Sequence, residues 1–385
     1  MKKICIVSSS RAEFSLLKNL IIRIKNSKYL KYHLICTGTH LSKFYGETKK
    51  EIINHGIKIH SEFKIVQQFD SPYDISKSFS QAVLGFARIF RKNKFNCIVY
   101  LGDRYEILAA AYAALIFNIP KIHIHGGELT QGVIDDATRH SISKISNYHF
   151  VSHPKYKKRL IQLGENSKNI NIVGAMGLEN LKNIKKITNR KFYSKYSFKL
   201  NKNNKNILIT LHPENLNKNI TKVTINNLLK VLKSFNDYKL IFTYPNQDTF
   251  GRIIINKILE FTKKYNNSIF IKSLGNEFYF SLLKKCSCVI GNSSSGIIEV
   301  PSFKIPTVNI GDRQKGRLIS RSVLNTNIKA GNIKKTINKS LNLDCSKVKN
   351  IYAINELPSK KIYNFLLKKN FSNDSLQKKF FDLKI

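Results

Sequence analysis

A chain of 385 residues is longer than a single hydrophobic core commonly supports, about 250–300 residues, so two domains are expected. Apolar residues make up 42%, which excludes a disordered chain; no apolar run reaches the roughly 18 residues of a membrane span, and the start MKKICIVSSSR turns polar too soon for the expected pattern of a signal peptide, so a cytoplasmic protein is expected. The net charge of +42 invites a nucleic-acid partner, but lysine is spread along the whole chain with no recognition motif or aromatic-basic platform, so neither nucleic acid nor membrane is expected as a partner.

The first strand, Lys3–Val7, is a continuous apolar run of the kind a parallel sheet buries on both faces. Ser8-Ser9-Ser10-Arg11-Ala12-Glu13 follows, opening a helix whose apolar positions are Phe14, Leu16, Leu17, Leu20 and Ile21. A hydroxyl-rich turn at a helix start suits an anion, with Arg11 as phosphate partner, and equally suits a plain helix cap. The turn lacks the G-x-G-x-x-G dinucleotide fingerprint.

Strand-then-helix units recur at His33–Cys36 and at Cys97–Leu101, the second leading into Gly102-Asp103-Arg104-Tyr105-Glu106. Polar clusters at the carboxyl ends of successive strands converge on one crevice. Asp103 fits either a helix cap or a catalytic carboxylate.

The densest ionisable stretch is His123–Lys144, HIHGGELTQGVIDDATRHSISK. Period two places His123 and His125 on one face of a strand, and Gly126-Gly127 permits a close backbone approach. In the helix that follows, Asp135 and Arg139 are four apart, as are Asp136 and His140, with Lys144 one turn beyond. A salt-bridged surface helix is the bland alternative; the preceding H-x-H-G-G-E, with Glu128, favours a site.

A basic, weakly periodic segment from Lys182 to Asn206 separates two halves. The expected division is a Rossmann-like domain over 1–180, a linker over 181–206, a second Rossmann-like domain over 207–355, and a helical tail over 356–385 patterned at Ile362, Phe365 and Leu366 to cross back. In the second half Ile207–Leu211 ends in His212-Pro213-Glu214-Asn215, Leu240–Thr243 in Tyr244-Pro245-Asn246, and Cys288–Gly291 in Asn292-Ser293-Ser294-Ser295-Gly296. Serine hydroxyls and free N–H groups there suit a diphosphate, and Glu299 suits vicinal ribose hydroxyls. Pro306–Ile310 is the last clear strand, and Arg313, Lys315 and Arg317 follow it. The six cysteines lack the paired spacing of a metal site, so buried reduced thiols and no metal are expected.

The ordered motifs SRAEF, LGDRYE, HIHGGE, DDATRHSISK, LHPEN, GNSSSGIIEVPS and NIGDRQKGR resemble those of hydrolysing UDP-N-acetylglucosamine 2-epimerases, over most of the chain. The resemblance implies an α/β, GT-B fold of two Rossmann-like domains facing a central cleft, no cofactor, and a homodimer or homotetramer acting on a UDP-sugar. Elimination of UDP to a glycal and rehydration would give N-acetylmannosamine for sialic acid biosynthesis. By the same resemblance Arg11, His212, Ser293, Ser294, Ser295, Glu299 and Arg313 bind UDP. Asp103, His125, Glu128, Asp135 or Asp136, and Arg139 surround the sugar. Many relatives carry glutamate where this chain has His125, which leaves open the group that abstracts the C2 proton. The alternatives are the same chemistry on UDP-2,4-diacetamido-2,4,6-trideoxyglucose in a legionaminic acid pathway, and a retaining glycosyltransferase of the same fold.

Overall fold

Among the described residues thirteen short strands assort into two all-parallel sheets, one in each of two compact units. The computed structural model describes residues 1–43, 46–65, 71–131, 133–184, 186–214, 218–245, 250–371 and 376–383; Asn215 and Asn246 lie outside them. The first unit comprises Met1–Glu128, Asp135–Glu179 and Tyr352–Ile385, the second Leu129–Ile134 and Asn180–Ile351.

In the first unit the strands are β1 (Lys2–Ser8), β2 (Leu30–Cys36), β3 (Ser61–Glu62), β4 (Cys97–Leu101), β5 (Lys121–Ile124), β6 (Tyr148–Val151) and β7 (Ile170–Ile172), in spatial order 3-2-1-4-5-6-7. Between them run helices α1 (Arg11–Lys25), α2 (Lys49–Asn54), α3 (Pro72–Lys92), α4 (Tyr105–Ile116), α5 (Asp135–Ile145) and α6 (Pro154–Gln162). The order reverses between β1 and β4, where open α/β sheets leave a crevice at the strand carboxyl ends. Ser10 caps α1 by accepting from Glu13 N, and Phe14, Leu17, Leu20, Ile21 and Ile24 form its buried face.

The second unit has β8 (Asn206–Thr210), β9 (Lys239–Thr243), β10 (Ser268–Ile271), β11 (Cys288–Gly291), β12 (Thr307–Ile310) and β13 (Val323–Thr326), in order 10-9-8-11-12-13, with its reversal between β8 and β11. Its helices are α7 (Asn189–Tyr196), α8 (Lys218–Leu232), α9 (Gly251–Lys264), α10 (Gly275–Leu283), α11 (Ser294–Ile298) and α12 (Ala330–Leu341). The polar segment after Lys182 thus contains a helix, α7, capped by Thr188 and anchored by buried Phe192. A last helix, α13 (Pro358–Lys368), buries Ile362 and Leu366 in the first unit's core beside Ile4, Leu20 and Phe150.

The architecture is α/β and of the GT-B type, two Rossmann-like units in one chain. Edge strand β13 has no counterpart in the sequence reading, because Val-Leu-Asn-Thr carries only two apolar residues and pairs on one side. All six cysteines are buried and free of disulfides. Among the described residues no helix is long and apolar enough to cross a membrane, and no group of three or more His, Cys, Asp and Glu could hold a metal ion.

Candidate active site

The first unit's reversal point carries two of the polar loops singled out in the sequence. β1 delivers Ser8-Ser9-Ser10 and Arg11, the first residue of α1, while β4 delivers Gly102 and Asp103. Gly102 turns with φ of +93°, a left-handed backbone that favours glycine. Beneath these loops lies a buried acidic pair. Glu13 accepts from Ser9 N at 2.7 Å and Ser9 Oγ at 2.8 Å, and Glu106 accepts both Nε and Nη2 of Arg104 at 3.2 Å. Burial, and then the Glu106 charge, push the Glu13 carboxyl up to about 7.

Arg139 is the hub of the densest stretch. It is 1% exposed, and its guanidinium donates to the Asp103 carboxylate and, at 2.9 Å, to Glu128 O, with Asp136 3.7 Å away. One cation on α5 therefore ties together the β4 loop, the β5 loop and its own helix. Asp135 and Asp136 occupy the first turn of α5, where carboxylates are favoured by the positive helix end. Asp136 also lies 3.7 Å from His140.

The two histidines of H-x-H separate. His123 stays within β5, fully buried, linking Gly102 O at 2.8 Å to Ser143 Oγ at 3.1 Å; burial pushes it down to about 3, so it is neutral. His125 lies beyond the end of β5 with φ of +66°, so period two does not govern its side chain. Its Nε2 accepts from Met176 N at 3.1 Å, which puts the neutral ring's proton on Nδ1, 3.8 Å from the Glu128 carboxylate. Glu128, itself 1% exposed, accepts from Ser152 Oγ at 2.7 Å. His125, Glu128, Asp103, Asp136 and Arg139 thus form one connected cluster.

In the second unit the reversal point lies between β8, which leads to His212, and β11, which leads to Asn292 and Ser293. Gly291 turns with φ of +138° against Thr210 O, an approach that leaves no room for a Cβ. Asn292 clamps His212, accepting from its N at 2.6 Å and donating to its O at 2.9 Å. Asn292 O in turn accepts from Arg313 Nη1 at 3.3 Å and Gln314 Nε2 at 2.8 Å. His212, Arg313 and the serine turn are thereby fixed on one residue. Burial, and then the Arg313 charge, hold the His212 imidazole well below its usual range, so it is neutral.

Ser293 caps α11 by accepting from Ser295 N at 3.4 Å, and Ser295 Oγ pairs with Tyr279 OH at 2.5 Å. Glu299 closes α11 as its C-cap. The helix has only five residues, so its dipole is weak. Asn292, Gln314, Ser152 and Glu13 join the site without having been expected there from the sequence. Asn292 had one signal, its place after a strand-end glycine; Ser152 had none.

The model of the family described as UDP-N-acetylglucosamine 2-epimerase matches residues 22–367. The chain is 43% identical over 329 residues, 85% of each chain, to a "GDP/UDP-N,N'-diacetylbacillosamine 2-epimerase (hydrolyzing)" of Campylobacter jejuni. It is 37% identical to the "Polysialic acid biosynthesis protein P7" of Escherichia coli over 88% of this chain and 86% of that one. The crystal structure of UDP-GlcNAc 2-epimerase from Neisseria meningitidis, bound to UDP-GlcNAc, superposes with a TM-score of 0.79 at 20% identity, over 96% of this chain and 100% of that one, a likeness of fold. On the extent of the family match and these identities, the chain belongs to the UDP-N-acetylglucosamine 2-epimerase family.

Proposed function

We propose that the protein is a hydrolysing 2-epimerase of nucleotide-linked 2-acetamido sugars, with the N,N'-diacetylbacillosamine nucleotide as substrate. The observation that carries this reading is the 43% identity, over 85% of both chains, to the Campylobacter jejuni enzyme of that name. That sugar is 2,4-diacetamido-2,4,6-trideoxyglucose. UDP-N-acetylglucosamine is the second reading, favoured by the family's own name and by the relative named for polysialic acid biosynthesis.

In the proposed reaction a base removes the proton at C2 while the C1–O bond breaks and the nucleoside diphosphate leaves with the bonding pair, giving a glycal. Water then adds its oxygen to C1, and C2 is reprotonated on the opposite face. Asp103 and the Asp135/Asp136 pair are the acid and base candidates, a reading supported by the convergence of Asp103 and Asp136 on Arg139. His125, with Nδ1–H toward Glu128, is suited to handle the water. Arg313 neutralises leaving-group charge, and Ser293, Ser294 and Ser295 supply hydroxyl donors. A neutral His212 donates one N–H to a phosphate oxygen without bringing a second charge beside Arg313. Glu299 accepts from the ribose hydroxyls. No step in this scheme calls for a cofactor.

The test incubates the protein in D2O with the UDP and GDP forms of N,N'-diacetylbacillosamine and with UDP-N-acetylglucosamine, following each by NMR. Free 2-epimerised sugar bearing deuterium at C2 supports the reading, and the faster sugar decides between the two substrates. An intact epimerised sugar nucleotide refutes hydrolysis, and transfer to an added acceptor would identify a glycosyltransferase instead.

A further inference from the structure

Lys144 and the C-terminal segment take no part in the proposed chemistry, yet both meet at the far end of α5. That end lacks the usual stop: Ser146-Asn147-Tyr148 follows the helix, with no glycine to close its last carbonyls. The closing group comes from 376–383. Lys378 Nζ donates to Lys144 O at 2.5 Å and Ser146 O at 2.7 Å, lies 3.4 Å from Ser143 O, and pairs with Glu165 Oε2 at 2.6 Å. A cation among the last carbonyls of a helix is favoured by both hydrogen bonding and the dipole.

The attachment extends over several residues. Phe381 N donates to Gly164 O at 2.9 Å, and the Phe380 ring lies against Gly164, where a Cβ would overlap it. Lys144 Nζ sits 4.2 Å over the Phe380 ring, donates to Leu163 O at 2.9 Å and lies 3.2 Å from Glu165 Oε1. His149 completes the surroundings, its Nε2 2.9 Å from Glu165 Oε2. The chain uses the same device on α13, whose last carbonyls at Leu366, Leu367 and Lys369 accept from Lys2 Nζ at 2.7–3.1 Å.

At its other end α5 holds Asp135, Asp136 and Arg139, and His123 joins Ser143 near the pinned end to Gly102 O beside Asp103. The helix is about 16 Å long, one continuous hydrogen-bonded rod between the two ends. We propose that Lys378 is a positioning residue for the reaction: by pinning the carboxyl end of α5 it sets the reach of Asp135, Asp136 and Arg139. Displacements near 1 Å at reacting groups cost up to about a hundredfold in rate, so a distant pin has kinetic consequences. The inference deepens the 2-epimerase reading and rests on it.

The test uses full-length Lys378→Met, Lys378→Arg and Phe380→Ala, with turnover of the preferred sugar nucleotide, UDP affinity by calorimetry, and hydrogen exchange of the α5 amides. Lys378→Met should lower kcat about tenfold with UDP affinity unchanged and speed exchange in α5, while Lys378→Arg restores most of the rate. Phe380→Ala, at an exposed position, should shift kcat and α5 exchange in the same direction by less, and it decides the matter if Lys378→Met does not fold. A kcat within twofold of native in Lys378→Met, or in Phe380→Ala where that variant stands alone, overturns the proposal, as does unaltered α5 exchange. If the native chain turns over none of the sugar nucleotides, the functional reading falls by itself and the exchange comparison still decides whether the segment pins α5.

Discussion

The side-chain amide of Asn292 holds the backbone of His212 by two hydrogen bonds, an acceptor at 2.6 Å and a donor at 2.9 Å, as a neighbouring strand would. The ladder of β8 and β11 ends at this point, and Asn292 extends it by one side chain. Asn292→Asp keeps the acceptor but turns a carboxylate oxygen toward the His212 carbonyl. Replacing that hydrogen bond by an oxygen–oxygen contact costs on the order of 1–3 kcal/mol. The expected outcome is a lower urea midpoint together with weaker UDP binding, by roughly tenfold, in a calorimetric titration. Unchanged UDP affinity would show that His212 is held by other contacts.

Glu13 makes stability depend on pH. Its folded carboxyl titrates near 7, above its unfolded range, so the folded state holds a proton that the unfolded state has already lost. The stability this proton supports is present in full below the unfolded carboxylate range, near 4.3, and is lost as pH rises through 7. The amount is on the order of 3 kcal/mol. Glu13→Gln, which mimics the protonated form and removes the charge beside Glu106, should flatten the urea midpoint between pH 5 and pH 8. A variant whose midpoint still falls across that interval would assign the titration to another group.

Gly291 cannot accept a side chain. Its φ of +138° is strained for other residues, and an added Cβ would overlap Thr210 O on the adjacent β8. Moving either strand would disturb the loops that carry His212 and Asn292. Gly291→Ala should therefore give a sharp loss of soluble protein, whereas Gly275→Ala, equally left-handed at φ of +65° but with nothing within 4 Å of its Cβ, should cost only about 1 kcal/mol in a urea melt.

Much of the fold was legible because parallel strands here are unbroken apolar runs: Cys97–Leu101 and Cys288–Gly291 have the ends read from sequence. β13 and α7 were not legible, since one is a half-polar edge strand and the other a basic helix with a single buried aromatic, Phe192. In the candidate site, spacing along α5 foretold that Asp136 faces His140; Arg139, which spacing paired with Asp135, lies 3.7 Å from Asp136. It could not foretell Arg139 reaching Asp103, 36 residues earlier, because that contact depends on the order of β4 and β5 in the sheet. His125 was assigned to a strand by alternation, and its left-handed backbone broke the alternation. The Lys378 contacts join residues 213 to 235 positions apart, and one lysine among so many carries no signal in sequence.

Asp103 and Arg139 offer the sharpest separation of chemistry from architecture. Asp103 is about a quarter exposed while Arg139 is 1% exposed, so the two ends of one ion pair stand in different surroundings. Asp103→Asn keeps an oxygen for Arg139 and removes the charge that a base needs. It should leave the melting temperature within about 2 °C of native and reduce both turnover and C2 deuterium incorporation by at least a hundredfold. Arg139→Met strips Asp103, Asp136 and Glu128 O of their common donor. Breaking a buried pair from one side costs about 3–5 kcal/mol, a figure reduced here by the solvent that reaches Asp103, so both stability and turnover should fall. Arg139→Lys should recover stability more than rate, because an ammonium cannot reproduce the fork that spans two loops. If Asp103→Asn instead turns over near the native rate, the proton transfer belongs to Asp135 or Asp136, and Asp103 serves to orient Arg139.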